Sequence, residues 1–254
     1  MSPDRRSVSR RLLLRETGLV AAGLAAGSLM PRQSQAAPAP AESLRQQLTA
    51  CEPGGDPLQA LVAGNRRFAA AWKAASGPMD NQVRRRLMVD LLADNCQLDP
   101  TALAKGQKPW AAILSCADSR VPTEILFHRG PGELFNVRCA GNTAFSDGVA
   151  SLEYAVEVLG VPLILVMGHS GCGAVEAAMD PNASLTPLLT DLVKPIRASL
   201  VPGEPLPAAI RTNARYATQA MLRKSELLAG AKAAGRVRVQ AAYFDIGSGQ
   251  VSLL

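Results

Sequence analysis

Two uninterrupted apolar runs, residues 110–114 and 161–167, mark the centre of this chain. Runs without polar alternation are typical of strands that are buried on both faces of a parallel sheet. Each run leads into a short loop of small and polar residues, residues 115–120 after the first and 168–173 after the second. Because the carboxyl ends of parallel strands border one crevice, we expect the side chains of these two loops to meet.

The rest of the chain alternates between strand and helix patterns. Asp56 and Pro57 have the residue types of an N-cap and a first helical position, and apolar residues follow at helical spacing. The pattern predicts further helices over residues 79–95, 123–128, 147–159, 173–179 and 206–229, and strands over residues 110–115, 134–137, 163–167, 237–246 and 250–254. This order indicates an α/β fold with a central, mainly parallel sheet of about four strands, an antiparallel edge strand and flanking helices.

The two loops carry the residue types of a zinc site. Cys116 comes from the first loop, and His169 and Cys172 come from the second. Two thiolates and one imidazole make a three-ligand set whose fourth position is left for water or for Asp118. The alternative is a disulfide between Cys116 and Cys172. The spacing favours the metal, because one loop can offer both His169 and Cys172.

Asp118 and Arg120 form a candidate catalytic pair beside the predicted metal. An arginine can hold a carboxylate in a fixed, bidentate orientation. The alternative role for the pair is to stabilise the loop. We expect Cys51, Cys96 and Cys139 to be inert, with a Cys51–Cys96 disulfide as the alternative.

The basic charge of the chain is concentrated at its N-terminus. The net charge is +6, and six arginines but only two acidic residues lie within residues 1–36. A nucleic-acid-binding protein should keep a basic face on its folded domain, so we expect no nucleic-acid partner. No stretch reaches the about 18–20 strongly apolar residues of a membrane span, so we expect none in the mature protein.

The N-terminal segment has the order of an export signal. Arg10 and Arg11 resemble a twin-arginine motif, and a mildly apolar segment and small residues ending at Ala36 follow. The alternatives are an uncleaved membrane anchor and a disordered basic tail. We therefore predict a signal peptide over residues 1–36, the twin-arginine export machinery as a partner, and a periplasmic location. Residues 37–55 are predicted to be a linker and N-terminal arm, and residues 56–254 the zinc domain.

The spacing Cys-x-Asp-x-Arg, followed about fifty residues later by His-x-x-Cys, resembles the zinc signature of the β-class carbonic anhydrases. The likeness extends from about residue 58 to the C-terminus. It includes residues 61–68, 106–109, 131–138 and 140–142. Two positions depart from the usual pattern of the family: His128-Arg129, where Asp-Gln is frequent, and Cys139, where Asn, Val or Thr is frequent.

The resemblance implies reversible hydration of carbon dioxide to bicarbonate and a proton, by attack of hydroxide bound to one Zn²⁺ per subunit. It implies metal ligation by Cys116, His169 and Cys172, with Asp118 at the fourth position in some states, and catalytic roles for Asp118 and Arg120. It also implies a homodimer or a dimer-based oligomer. Two other functions stay open: hydrolysis of CS₂ or COS at the same zinc site, and a catalytically silent zinc-binding relative.

Overall fold

A five-stranded sheet forms the centre of the protein, in a computed structural model that describes residues 43–93 and 95–254. The predicted signal peptide and the first part of the predicted linker lie outside the described residues. The strands β1 to β5 are Ala111–Cys116, Leu134–Cys139, Leu163–His169, Arg238–Asp245 and Gln250–Leu253. Their order is β2-β1-β3-β4-β5, with parallel pairing except between β4 and β5. The predicted fold class is confirmed.

The helices of the described residues lie on both faces of this sheet. They are α1 Leu44–Thr49, α2 Pro57–Ala75, α3 Asn81–Ala93, α4 Pro100–Leu103, α5 Thr123–Leu126, α6 Ser146–Glu157, α7 Gly173–Met179, α8 Pro187–Arg197, α9 Leu206–Lys224 and α10 Glu226–Ala233. None of these helices is both long enough and apolar enough to cross a lipid bilayer.

The central strands separate two hydrophobic cores. Every residue of β1 and β3 is buried. Ile164 and Val166 of β3 belong to a core that also contains residues of α6, α9 and α10. Leu165 and Met167 point to the opposite face and belong to a core that includes residues of α2. Alternate side chains of a strand point to opposite faces, so these apolar runs fix β1 and β3 in the middle of the sheet.

Helix α2 begins where the sequence predicted and docks closely on the sheet layer. The Asp56 carboxylate accepts a hydrogen bond from the Leu58 amide at 2.9 Å. A Cβ atom at Gly64 would lie 1.9 Å from the carbonyl oxygen of Phe127, so only glycine permits this approach. The buried Asn65 side chain donates to the carbonyl oxygens of Leu126 and Gly249 and thereby joins α2 to the turn between β4 and β5.

Two parts of the C-terminal half differ from the sequence prediction. The helix predicted over residues 206–229 is divided into α9 and α10, because Ser225 has an extended backbone with φ −122°. Its hydroxyl accepts a hydrogen bond from the Leu228 amide and caps α10. Helix α8 was not predicted, although Thr186 and Pro187 supply an N-cap and a first helical residue.

The N-terminal arm is fastened to the domain by a disulfide between Cys51 and Cys96. The expectation that these two cysteines are inert thiols was wrong. Their Cα atoms are 5.7 Å apart although 45 positions separate them in sequence. Helices α2 and α3 pack together, so the end of α3 lies near the segment that precedes α2 and Cys96 comes close to Cys51. The residues of α1, in the predicted linker, are helical and contact α4.

Candidate metal centre

Three candidate metal donors meet at the carboxyl ends of two neighbouring strands. Cys116 is the last residue of β1, His169 is the last residue of β3, and Cys172 precedes α7. All three are buried, and their donor atoms lie within 4.8 Å of one another. The sequence predicted this convergence from the strand ends, and the structure brings the three residues together.

The donor set fits a zinc ion. Two sulfurs at the usual zinc–thiolate distance in a tetrahedral site are about 3.8 Å apart, and the Sγ atoms of Cys116 and Cys172 are 4.0 Å apart. The Nδ1 atom of His169 lies 3.0 Å from the carbonyl oxygen of Ser170. Because a carbonyl can only accept, Nδ1 carries the proton and Nε2 keeps its lone pair. The buried Nε2 has no hydrogen-bond partner among the described residues, as expected of a metal-binding nitrogen.

The two sulfurs are electrostatically coupled. The hydrogen bond from Cys172 lowers the pKa of Cys116, and the Gly141 amide contributes with a hydrogen bond to the Cys116 sulfur at 3.3 Å. The same sulfur–sulfur contact raises the pKa of Cys172, because a second negative charge would be buried beside the first. Without metal, this contact therefore disfavours ionisation of both thiols at once, and a bound cation would favour it.

Asp118 and Arg120 form the predicted bidentate pair. The Nε and Nη2 atoms of Arg120 donate to the Asp118 carboxylate at 2.9 and 2.7 Å. These hydrogen bonds hold the pKa of Asp118 well below its usual range. The carboxylate lies beside the metal donors, with Oδ2 3.8 Å from Nε2 of His169. It is thus engaged by Arg120 in this structure, and its role as a fourth zinc ligand stays a prediction.

A second arginine supports the same loop and was not among the predicted site residues. Arg138 on β2 donates to the carbonyl oxygens of Cys116 and Asp118 at 3.2 and 2.8 Å. It therefore fixes the backbone on either side of the predicted catalytic carboxylate. In the sequence, residues 131–138 were noted only because they resemble the family. That resemblance predicted the strand but gave no function for the Arg138 side chain.

The residues at the two positions that depart from the family pattern contact neighbouring parts of the domain. Nδ1 of His128 accepts a hydrogen bond from Arg67 on α2 at 2.6 Å. Arg129 donates to the carbonyl oxygen of Ala60 at 2.7 Å and pairs with the buried Glu133. Both side chains thus hold the N-terminal helices on the domain. Cys139 contacts Thr143 through its sulfur and is not one of the three clustered donors.

Comparison with known proteins identifies the family of the chain. A sequence model of the carbonic anhydrase family matches residues 111–251, which include all three donors and the Asp118–Arg120 pair. The chain belongs to the carbonic anhydrase family. Carbonic anhydrase 2 of Mycobacterium tuberculosis is 47% identical over 116 residues, which are 45% of this chain and 54% of that protein. This match therefore spans about half the length of the relative.

Two further comparisons agree with the family assignment, and the second is with a β-class enzyme. The carbonic anhydrase of Mycolicibacterium smegmatis is 34% identical over 160 residues, which cover 60% of this family member and 78% of that relative. A solved structure of a tetrameric β-carbonic anhydrase from Sordaria macrospora superposes with a TM-score of 0.56 and 26% identity. That superposition covers 61% of this chain and 84% of the other.

Proposed function

We propose that the protein catalyses the reversible hydration of carbon dioxide to bicarbonate and a proton. The observation that carries the proposal is the convergence of Cys116, His169 and Cys172 beside an ionised carboxylate. These three residues would hold one zinc ion per subunit. Zinc, when bound, lowers the pKa of water and makes hydroxide available near neutral pH, as it does in carbonic anhydrases whose zinc is held by three histidines.

The residues of this chain would orient the reactants. The ionised Asp118 carboxylate can only accept hydrogen bonds. It would accept a hydrogen bond from the attacking hydroxide, which keeps its hydrogen and presents an oxygen lone pair to the carbon atom of carbon dioxide. Arg120 would keep the carboxylate in this orientation through its two hydrogen bonds. After the attack, bicarbonate leaves. The proton that water lost when the hydroxide formed passes to buffer.

A stopped-flow assay of carbon dioxide hydration on the zinc-loaded protein tests this function. We expect activity in the parent, a large loss in Asp118→Asn, and little change in Asp191→Asn, which removes an exposed carboxylate on α8. The same preparations should be assayed with CS₂ and COS. A zinc-loaded parent that hydrolyses either gas but does not hydrate carbon dioxide would overturn the proposal. Inactivity towards all three gases would instead identify a silent zinc-binding relative.

We further propose that the protein is exported to the periplasm by the twin-arginine machinery and acts there as a homodimer or dimer-based oligomer. The Arg10-Arg11 pair and the following apolar segment support export. The Cys51–Cys96 disulfide supports an oxidising compartment, because disulfides are rare in reducing ones. The tetrameric relative from Sordaria macrospora supports an oligomer, which sedimentation equilibrium would test.

A further inference from the structure

A chain of buried hydrogen bonds runs from α9 to the sulfur of Cys116. The side-chain amide of Asn213 donates to the carbonyl oxygen of Gly141 at 2.9 Å. The backbone amide of Gly141 in turn donates a hydrogen bond to the Cys116 sulfur at 3.3 Å. Asn213 is only 1% exposed, so its hydrogen bond is sheltered from water. It is 72 positions from Gly141 in sequence, and the pattern of the chain did not single it out.

The orientation of Gly141 depends on a neighbouring group, because a glycine backbone can adopt many conformations. Its φ is +74°, in the left-handed region that glycine enters freely and other residues avoid. A Cβ atom there would lie 2.5 Å from Cδ1 of Ile196, so the position is also closed to a side chain. A glycine can rotate its N–H away from a sulfur at little cost unless a neighbouring group fixes it. The Asn213 amide is the group that holds its carbonyl.

The orientation of the Asn213 amide is itself fixed. Its Oδ1 atom lies 3.4 Å from the hydroxyl of Ser199, whose single hydrogen is directed at the carbonyl oxygen of Ile196 at 2.7 Å. Because the carbonyl oxygen of Gly141 can only accept, the NH₂ group of Asn213 is the end of the amide that faces it. Ser199 and Asn213 are both buried, so these contacts form one connected polar network behind the metal donors.

We propose that Asn213 is a positioning residue for the metal centre, holding Gly141 so that its N–H donates to the Cys116 sulfur. This inference rests on the proposed zinc site. A hydrogen bond to a thiolate withdraws negative charge from sulfur and makes it a weaker electron donor to a metal. Groups that orient or polarise metal ligands in this way typically change metal affinity about 10–100-fold when they are removed. Loss of the Asn213 amide should therefore make Cys116 a more electron-rich ligand. It should also leave the Cys116 sulfur less firmly oriented, and this loss of orientation is the effect that weakens zinc retention.

The test uses the cobalt-substituted and zinc-loaded forms of the full protein. Asn213→Asp removes the donor at constant shape, and Asn213→Ala removes it without adding charge. Asn65→Asp and Asn65→Ala are the matched controls, since Asn65 is a buried amide that also donates to backbone carbonyls but on the far side of the domain core. The readouts are the energy of the thiolate-to-cobalt(II) charge-transfer band, the rate of zinc loss to a chelator, and thermal unfolding.

We expect both Asn213 variants to move the charge-transfer band to lower energy and to lose zinc about 10–100 times faster. The Asn65 variants should unfold at lower temperature with an unchanged band. Ser199→Ala, which leaves the Asn213 donor in place, should shift the band less and in the same direction. Unchanged bands in Asn213→Ala and Asn213→Asp, or equal shifts in the Asn65 controls, would overturn the inference. A parent without any thiolate-to-cobalt band would overturn the proposed metal site and this inference with it, and so separates the two failures.

Discussion

Arg120 reaches across the metal centre to Gly171, with its Nη2 atom 3.1 Å from the Gly171 carbonyl oxygen. One side chain thus joins the loop after β1 to the loop after β3. The same nitrogen donates to Oδ2 of Asp118 at 2.7 Å. The orientation of the carboxylate and the separation of the two donor-bearing loops are therefore set by one guanidinium group.

Removal of Arg120 should raise the pKa of Asp118. In the metal-free parent the hydrogen bonds from Arg120 keep this pKa low. The ionised carboxylate thus stabilises the folded state at neutral pH, and this contribution is lost as the pH falls through the lowered pKa. In Arg120→Ala the pKa of Asp118 should rise towards its ordinary range, although the backbone amide of residue 120 still donates to the carboxylate at 2.9 Å and keeps part of the lowering. Carbon-13 NMR titration measures the shift.

Arg138→Ala is the control for this titration. Arg138 binds the Asp118 backbone oxygen and not the carboxylate, so the pKa of Asp118 should stay low in that variant. A pKa of Asp118 that is unchanged from the parent in Arg120→Ala would contradict the assigned cause.

Cys172→Ser should lose most of the bound zinc, because a serine hydroxyl is a poor substitute for a thiolate ligand. Cys139→Ser should keep a full complement, since Cys139 lies outside the three clustered donors. Elemental analysis of the purified proteins compares the two. Full zinc occupancy in Cys172→Ser would show that the ligand set is wrong.

The value of kcat/KM for carbon dioxide hydration should rise from pH 7 towards about pH 8–9. Two thiolates neutralise the charge of zinc, so water at this site should ionise less readily than at a three-histidine zinc. Asp118→Ala should retain zinc yet react slowly at every pH, because the hydroxide is no longer oriented. Stopped-flow measurement of kcat/KM between pH 6 and 9, on the parent and on Asp118→Ala, tests both expectations. A flat profile in the parent, or full activity in the variant, is the contrary result.

The Cys51–Cys96 disulfide should stabilise the fold substantially. A cross-link that closes a loop of this length contributes about 4 kcal/mol by restricting the unfolded chain. The double variant Cys51→Ser/Cys96→Ser should lower the free energy of unfolding in urea by that order, and Cys139→Ser should not. The denatured, metal-free parent should show three free thiols under non-reducing conditions. Five titratable thiols in the protein purified from periplasm would contradict the cross-link.

Export should depend on the paired arginines. A variant with Arg10→Lys and Arg11→Lys should remain in the cytoplasm, because the twin-arginine machinery reads that pair. Cell fractionation with detection of the protein gives the distribution. Recovery of the variant in the periplasm would point to the general secretory route instead.

The sequence was sufficient for the sheet and for the clustering of the three candidate metal donors, because both depend on local signals. The apolar run that becomes β3 specifies a buried strand, and His169 and Cys172 follow it within one loop. Cys116 required one further step, the rule that neighbouring parallel strands end at the same edge of a sheet. These features need no knowledge of how distant side chains pack.

The supporting contacts could not be predicted in the same way. The hydrogen bond between Asn213 and Gly141 joins residues that meet only after α9 has packed on the sheet. The Cys51–Cys96 disulfide likewise depends on the packing of α2 against α3. Ser225 interrupts a continuous helical pattern through its own backbone conformation, and a serine in a sequence does not specify that conformation.

The disulfide also closes a covalent ring that contains all of α2 and α3. The connection between these helices, residues 76–80, includes the exposed Ser76 and Asp80. A protease that cut the chain there would leave two fragments still joined through sulfur. The nicked protein would keep its full mass on a non-reducing gel and would separate into two pieces only after reduction. In oxidising surroundings a cut at this turn would therefore not separate the N-terminal arm from the domain.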